Sequence, residues 1–301
     1  MYNAERYVSD LLKCFDLYDD FNYEIIIIDD GSSDNSYNEV KKFNSSKIKL
    51  FQQENCGVSS TRNSIIEKAS GEWITFIDSD DLIDFHIYKK LFLNKIKNSK
   101  CEYFIVSNQK FKDNSINYLI EHEIINAPWS KFYKVNILKE YKINFNIEAF
   151  LGEDLLFNLQ YYSVCKNFEI ITENLYIVRN VNSQSLTRKY TQNKIDMLLN
   201  INNLCISLNI PSKAKRMLNF IKVKNFYSSI IDLLKYNILE KDKIIKKIKY
   251  YKDLSDFKFI KFTSFRNFMF YYLWYILPSI LIYHALKLKV EKNVNQFILT
   301  K

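Results

Sequence analysis

The chain has 301 residues, enough to bury a substantial core, and its 48% hydrophobic and 26% charged residues exclude an intrinsically disordered protein. The formal net charge of +9 is spread unevenly, because residues 212–266 hold fifteen Lys or Arg residues against five Asp or Glu. Residues 1–211 are mildly acidic, so the two parts are expected to do different jobs. A nucleic acid or an anionic membrane surface would suit the basic part.

The five cysteines are scattered singly, with no C-x-x-C pair. Together with an N-terminal stretch that lacks an apolar export segment, this predicts reduced thiols in a cytosolic compartment. The chain has four glycines, where average usage would give roughly twenty in this length. Such a chain is expected to keep glycine where the backbone has no substitute.

Predicted strands and helices alternate over the first part of the chain. Strands are expected at 23–28, 48–51, 73–77 and 101–106, and helices at 36–43, 59–69 and 84–97. This alternation predicts an α/β fold with a largely parallel sheet. Further along, helices are expected at 129–140 and 153–164, an extended segment at 168–178, and helices from about 190 onward. We therefore predict a catalytic domain over 1–190 and a helical region over 191–301.

Two of the predicted strands end in acidic clusters, Asp29-Asp30 and Asp78-Ser79-Asp80-Asp81. In open α/β sheets, ligands bind at the carboxyl ends of the strands. Carboxylates at that edge are natural ligands for Mg²⁺ or Mn²⁺, which complete their shell with substrate phosphates and water. The alternative is that these side chains merely cap helices, which is at least as good an explanation for Asp34 and Asp84.

Each of the four glycines lies at or beside a predicted junction of a strand and a helix around the candidate site, and one of them opens a third acidic motif, Gly-Glu-Asp. They are Gly31, Gly57, Gly71 and Gly152. Turn formation explains one or two of them, but not why all four accompany acidic motifs.

Five segments in this order resemble the successive motifs of the family 2 glycosyltransferases. They are Asp29–Asp34, Gln53–Asn63, Gly71–Asp81, Trp129–Tyr133 and Gly152–Asn158. The resemblance covers roughly residues 2–190 and implies a GT-A fold, a Rossmann-like sheet flanked by helices. It also implies inverting transfer from a nucleoside-diphosphate sugar, with a UDP-sugar as the expected donor. A glycan or lipid-linked acceptor is expected, in the synthesis of a bacterial capsule or other surface polysaccharide.

The resemblance assigns the nucleotide-sugar site to Tyr2, Asp29, Asp30, Arg62, Asp78 and Ser79. By likeness, Tyr2 would stack in the pocket, the Asp29-Asp30 pair would face the base and ribose, Arg62 would lie near the base and Asp78 near the ribose. Asp80 would bind the Mn²⁺ or Mg²⁺ ion that bridges the two phosphates. That ion would neutralise the charge that develops on the departing diphosphate.

The candidate general base is Asp154, with Glu153 as its neighbour and possible substitute. Inversion requires a carboxylate that takes the proton of the acceptor hydroxyl as it attacks opposite the leaving group. The alternative is a plain N-terminal helix cap. For acceptor binding, Trp129 is either a wall of the site or a core residue, and Lys131 either reaches a phosphate or is a solvated surface lysine.

Members of the family begin with an apolar strand that runs into a Pro-x-Tyr-Asn turn, and here Tyr2-Asn3 is the part that matches. A sheet without that strand would expose edge groups and apolar area. Two explanations stay open: the strand lies upstream of Met1, or it has been lost and activity is impaired. The rival function is therefore a glycosyltransferase-like binding or scaffold protein. A nucleotidyltransferase would need a Gly-rich phosphate loop, and the sequence has none.

Residues 268–286 carry no charge besides a possible one on His284, and basic residues flank them. Nineteen residues are just long enough to span a bilayer, but Pro278 and four tyrosines favour a position in the membrane interface. Lys243, Lys246 and Lys247 add a basic amphipathic segment. We predict peripheral or monotopic attachment to the cytoplasmic face of the cell membrane, without nucleic acid as a partner. The alternative is that these helices pack on the catalytic domain.

Overall fold

The computed structural model describes residues 1–17, 20–109, 119, 124–148, 152–179, 226–227, 230–231, 233–235, 239–253 and 272–299. The chain divides into two compact units, each of which is described by itself. The first unit comprises residues 1–114 and 123–188, and the second comprises residues 115–122 and 189–301. The helices expected within 190–225 and 254–271 lie outside the described residues.

The first unit begins with an alternation of helices and parallel strands. Its elements are α1 (Val8–Lys13), β1 (Ile25–Asp30), α2 (Ser36–Lys41), β2 (Ile48–Gln53) and α3 (Gly57–Lys68). β1 and β2 are parallel, with Ile25 opposite Ile48 and Asp30 opposite Gln53. Four consecutive isoleucines favour a strand in β1, because β-branched side chains pack well on a pleated surface. The predicted elements of this region are confirmed.

The next elements form a four-stranded sheet and a two-stranded one. They are β3 (Trp73–Ile74), β4 (Leu82–Ile83), α4 (Phe85–Leu91), a π-helical turn (Phe92–Ile96), β5 (Tyr103–Ser107), β6 (Lys131–Lys134), α5 (Val135–Glu140), α6 (Glu153–Val164), β7 (Phe168–Thr172) and β8 (Tyr176–Ile177). The larger sheet has the order β3-β6-β5-β7, and β4 pairs with β8. β5 and β7 are parallel, whereas the β3–β6, β5–β6 and β4–β8 pairs are antiparallel. The α/β fold is confirmed, but the expectation of a largely parallel sheet is not, because three of the five described strand pairs are antiparallel.

The predicted helix over 129–140 is wrong in its first half, because Lys131–Lys134 forms strand β6 in the middle of the larger sheet. Phe132 lies opposite Phe104 of β5, and Tyr133 lies between Tyr103 of β5 and Ile74 of β3. Aromatic side chains suit such a position, and pairing on both sides outweighs the local preference for helix. The helix begins at Val135 and extends to Glu140.

A buried polar network fixes α6 against the sheet. Asn158 of α6 is fully buried, and its side-chain oxygen accepts hydrogen bonds from the hydroxyls of Tyr133 at 2.5 Å and Tyr103 at 3.3 Å. Its amide nitrogen donates to the carbonyls of Ile125 at 2.6 Å and Ala127 at 3.1 Å. Buried polar groups are stabilising when each has a partner, so this network holds the middle of α6 against the sheet.

The described part of the second unit contains α7 (Lys241–Asp253) and α8 (Ser279–Leu299). Ile244, Ile248 and Tyr251 bury one face of α7, at the spacing of an amphipathic helix. Within the described part of the chain, none of the helices combines the length and apolar character needed to span a bilayer. In the apolar stretch 268–286, residues 268–271 lie outside the described residues, and the helix at 272–276 is separated from α8 by a break at Leu277-Pro278.

Candidate functional site

The two carboxylates that end β1 are buried and bonded internally. Asp29 accepts hydrogen bonds from the backbone and hydroxyl of Ser32, and from Gln52 at 3.2 Å. Asp30 accepts the backbone N–H groups of Cys56 and Gly57, each at 2.9 Å, at the N-terminus of α3. Asp30 therefore caps helix α3, and contact of either carboxylate with a nucleotide stays a prediction.

Arg62 of α3 joins two of the predicted site carboxylates. Its Nη2 lies 2.9 Å from an oxygen of Asp78, and its Nη1 lies 2.5 Å from an oxygen of Asp154. The guanidinium group also lies over the ring of Phe145, 5.2 Å from the ring centroid. Burial alone would lower the pKa of Arg62, but the carboxylates of Asp154 and Asp78 outweigh it and raise that pKa. The site thus contains a permanently charged cation shared by two acids.

Asp154 and Glu153 open helix α6, immediately after Gly152. Gly152 has a φ of +83°, a left-handed conformation that favours glycine, and this turns the chain into the helix. Burial raises the pKa of Asp154 to about 7, while the Arg62 guanidinium opposes the rise. Burial also raises the pKa of Glu153. A carboxyl group that titrates near neutral pH is suited to accept a proton from a hydroxyl group.

The end of the acidic cluster is held by two residues that the sequence did not single out, Tyr176 and Arg179. Tyr176 donates its hydroxyl to Asp81 at 2.8 Å and accepts the backbone N–H of Asp78 at 3.0 Å. Arg179 donates its backbone N–H to Asp81 at 2.8 Å and its Nε to the carbonyl of Asp80 at 2.6 Å. Asp81 therefore has a structural role. The acidic pattern included it, but no sequence motif revealed its partners.

The donor set around Asp80 fits a metal ion that takes most of its ligands from a substrate. Within the described ranges, no group of three or more His, Cys, Asp or Glu residues lies close enough to hold a metal without other ligands. Mg²⁺ needs just one or two carboxylates when phosphates and water complete its shell. Asp80 is exposed, and no described residue hydrogen-bonds to its carboxylate, so these oxygens are available.

The two predicted acceptor-site residues lie in the core of the first unit. Trp129 is partly buried and stacks on Tyr176, with ring centroids 4.8 Å apart. Lys131 is 2% exposed, so the interpretation as a solvated surface lysine is wrong. Its Nζ donates to the carbonyl of Ala127 at 2.5 Å, and burial lowers its pKa to about 7. Contact of either residue with an acceptor stays a prediction.

A large cavity opens at the acidic edge of β1 and β3, with a volume of about 1390 Å³. The predicted site residues that line it are Tyr2, Asp30, Arg62, Asp78, Ser79 and Asp80. The predicted residues that do not line it are Asp29, Trp129, Lys131, Glu153 and Asp154. Asp154 nevertheless contacts Arg62, a lining residue, so the structure connects the two groups of predicted residues through one side chain.

In an α/β fold, a cavity lined by carboxylates at the strand ends is the usual place for a ligand. Comparison with known families narrows the class of protein. The sequence model of glycosyl transferase family 2 matches residues 1–154, slightly more than half of the chain. The chain belongs to this family.

Individual relatives agree with this assignment. The chain is 27% identical over 220 residues to glycosyltransferase GlyA of Streptococcus pneumoniae, covering 64% of this chain and 31% of GlyA. It is 26% identical over 191 residues to TarS of Staphylococcus aureus, a poly(ribitol-phosphate) beta-N-acetylglucosaminyltransferase, covering 58% of this chain and 33% of TarS. The chain thus spans less than two thirds of the length of these relatives.

Solved structures confirm the GT-A fold. The crystal structure of residues 1–349 of S. aureus TarS in complex with UDP-GlcNAc matches with a TM-score of 0.71 and 19% identity, covering 98% of this chain and 90% of that one. A mannosyltransferase from Pyrobaculum calidifontis, solved with GDP-Man and Mn²⁺, matches with a TM-score of 0.53 and 11% identity, covering 97% and 84%.

Proposed function

We propose that the protein is an inverting glycosyltransferase that transfers a sugar, a hexose or an N-acetylhexosamine, from a UDP-sugar to a hydroxyl group of an acceptor. The observation that carries the proposal is the arrangement of Asp78, Arg62 and Asp154, which links the cavity to a buried carboxyl group that titrates near pH 7. Family membership and the UDP-GlcNAc complex of TarS support the choice of donor.

In this proposal, the acceptor oxygen attacks the anomeric carbon while Asp154 takes the hydroxyl proton. The bond between that carbon and the diphosphate oxygen breaks, and the nucleoside diphosphate leaves with the electron pair. Arg62 holds Asp154 in position and stabilises its charged form. Glu153 lies next to Asp154, and burial raises its pKa as well, so we assign it to orientation of the acceptor hydroxyl beside the base.

The nucleotide would occupy the acidic end of the cavity, where Tyr2 is 53% exposed and free to stack on a base. Asp78 and Ser79 would contact the ribose, with Asp29 and Asp30 shaping the loops beside the base. Asp80 would hold Mn²⁺ or Mg²⁺, which when bound neutralises negative charge on the diphosphate. The Mn²⁺ complex of the Pyrobaculum mannosyltransferase supports this choice of cofactor.

We place the reaction in the synthesis of a bacterial surface polysaccharide, with a glycan or lipid-linked acceptor at the cytoplasmic face of the membrane. The poly(ribitol-phosphate) transferase activity named for TarS supports a surface polymer as the product. Trp129 and Lys131 would lie behind the acceptor site and support its wall, since their side chains contact Tyr176 and the carbonyl of Ala127. The basic α7 supports the membrane location.

Binding of UDP tests the metal site. Calorimetry with UDP and Mn²⁺ should give an affinity that Asp80→Asn lowers by at least the roughly tenfold that even outer-shell substitutions cost at metal sites. A chelator should lower the parent's affinity to the same level and leave the variant unchanged. The control Glu67→Gln removes an exposed carboxylate on α3, outside the acidic cluster, and should bind UDP with the affinity of the parent. Equal affinity for the parent and Asp80→Asn would exclude Asp80 as a metal ligand.

A release assay across UDP-, GDP- and dTDP-sugars tests the reaction itself. Release of UDP, faster with a polyol-phosphate or glycan acceptor than without one, is the expected result. Tight UDP binding without release from any nucleotide sugar would instead indicate a binding protein of the same fold, the rival function considered above.

A further inference from the structure

Lys131 is a buried cation to which the proposed reaction gives no direct part. It lies in β6 opposite Ile105 of β5, and it is 2% exposed. Its Nζ donates to the carbonyls of Ala127 at 2.5 Å and Trp129 at 3.4 Å, and no described carboxylate forms an ion pair with it. Burial of an ammonium group is costly unless another charge compensates it, so an anion is expected nearby.

The hydrogen bonds of Lys131 place its ammonium group beside helix α6. The carbonyl of Ala127, which accepts from Lys131, also accepts from Nδ2 of Asn158 at 3.1 Å. Asn158 follows Asp154 by four residues in α6, and residues four apart lie on the same face of a helix. The ammonium group therefore lies on the side of α6 that carries the candidate base.

The electrostatics of the two groups agree with this placement. Burial lowers the pKa of Lys131 to about 7, and Asp154 is the anion that opposes this fall. Burial raises the pKa of Asp154 to about 7, and Lys131 is one of the two cations that oppose this rise. The nearby hydroxyl of Tyr133 adds no charge, because burial raises its pKa well above the ordinary value.

Three other charged groups act on Asp154. Arg62 of α3 contacts it and favours its ionised form, whereas the anions Glu153 and Asp78 disfavour that form. Arg62 also pairs with Asp78, so it serves two carboxylates at once. Lys131 acts on Asp154 from strand β6, and among the described residues Asp154 is the one carboxylate that it acts on.

We propose that Lys131 is a positioning residue for the reaction: its buried ammonium group stabilises the ionised form of Asp154 without touching either substrate. The inference rests on the proposed role of Asp154 as the base. The ionised form is the one that accepts the proton of the acceptor hydroxyl. The charge of Lys131 therefore keeps a larger fraction of the protein in the reactive state below neutral pH.

The pH profile of turnover in the full chain tests this role. Lys131→Gln keeps a donor for the carbonyl of Ala127 but carries no charge, and Lys131→Met keeps neither. Both should move the rising limb of UDP release from the most active nucleotide sugar to higher pH by about one unit. Turnover should thus fall about tenfold near pH 6 and change little near pH 9. The control Lys134→Met removes a lysine of the same strand that pairs with Glu72 at 3.6 Å, and it should keep the profile of the parent.

Nuclear magnetic resonance measures the same effect without turnover. With carbon-13 in the aspartate carboxyl groups, the signal of Asp154 is identified by its absence in Asp154→Asn. It should titrate at a higher pH in both Lys131 variants than in the parent. A reciprocal measurement leaves Lys131 in place: in Asp154→Asn, the Nζ of Lys131 should titrate at a lower pH than in the parent, because the opposing anion is gone.

The outcomes separate this inference from the proposed function. Unchanged titration of Asp154 in the folded Lys131 variants, or of Lys131 in Asp154→Asn, would overturn the inference. If the Lys131 variants fail to fold, the measurement on Asp154→Asn decides alone, since it needs no change at Lys131. A shifted titration of Asp154 with an unshifted profile of turnover would support the coupling and count against Asp154 as the base.

Discussion

At the scale of single residues, Arg62 organises the candidate site, and its role shows where sequence reasoning ends. The resemblance to the family placed it near the nucleotide base. The structure adds its bonds to Asp78 and to Asp154, which lie 16 and 92 residues away in the chain. A local sequence pattern cannot predict a contact between residues 92 positions apart. The sequence therefore predicted the three residues but not the ion pairs that join them.

Asp154→Asn tests the candidate base. We expect turnover to fall by about 10²–10⁴-fold with donor affinity retained, because the amide keeps the shape of the side chain but cannot accept a proton. Glu153→Gln is the matched control and should act mainly on acceptor affinity. Near-parental turnover in Asp154→Asn together with an inactive Glu153→Gln would show that the two neighbouring carboxylates have been assigned in the wrong order.

The pH dependence of the parent provides the same test without substitution at the base. Asp154 must be ionised to act, so turnover should rise about tenfold per pH unit below its pKa of about 7 and level off above it. Glu153→Gln should keep this limb of the profile. A limb near pH 4, the ordinary range of an aspartic acid, would contradict the buried environment described for Asp154.

The glycines and the lysine at position 131 show which single residues were predictable. Gly31 has a φ of +73°, and a Cβ there would lie 2.9 Å from the backbone nitrogen of Asn55, so the scarcity of glycine correctly marked a backbone requirement. The burial of Lys131 was not predictable, because nothing in the neighbouring sequence indicates that strands pair on both sides of it. Its hydrogen-bond partners are backbone carbonyls, and because every residue has one, the sequence cannot indicate which of them it contacts.

At the scale of elements, Arg179 in the loop after β8 connects the acidic cluster at residues 78–81 to the N-terminal segment that holds Tyr7 and Asp10. This residue donates to the carbonyl of Asp80 at 2.6 Å, to that of Tyr7 at 3.1 Å and to the Asp10 carboxylate at 3.4 Å. The predicted strands and helices up to residue 106 are present because each has its own local pattern, although the strand expected at 73–77 is limited to Trp73–Ile74, and α1 and β4 were not predicted. The position of β6 and the hydrogen bonds of Arg179 depend on contacts between distant parts of the chain, which a local sequence pattern cannot predict.

Arg179→Ala should weaken Mn²⁺-dependent UDP binding by roughly tenfold, a cost typical of residues that orient a metal ligand. Binding of UDP in the presence of a chelator should change little. Lys13→Ala is the matched control, because Lys13 also pairs with Asp10 but is exposed and contributes little. An equal loss of UDP affinity with and without metal would mean that Arg179 supports the fold generally and does not position Asp80.

At the scale of the whole molecule, the uneven charge of the sequence corresponds to a helix with two different faces. α7 buries Ile244, Ile248 and Tyr251, and the exposed side carries Lys243, Lys246 and Lys249. The domain boundary near 190 and the location of the protein stay predictions. The four described cysteines, Cys14, Cys56, Cys101 and Cys165, are not joined in disulfides, and Cys205 lies outside the described residues.

Flotation with liposomes tests the membrane proposal on the full chain. Replacement of Lys243, Lys246 and Lys249 by glutamine should weaken binding to anionic vesicles by roughly 10²-fold, at about 1 kcal/mol for each basic residue near such a surface. The matched control replaces three exposed lysines of the first unit, Lys90, Lys95 and Lys100. Flotation equal to that of the parent after the α7 substitutions would contradict the proposal, as would equal loss in both variants.

The single guanidinium between Asp78 and Asp154 has a consequence for the order of events in a catalytic cycle. Arg62 bonds to both carboxylates, so a ligand that contacts Asp78 also changes the electrostatic surroundings of Asp154. On the proposed assignment, the arrival of the donor would therefore alter the proton affinity of the candidate base before the acceptor reacts. The two substrate sites would be coupled through one side chain, without any movement of the backbone.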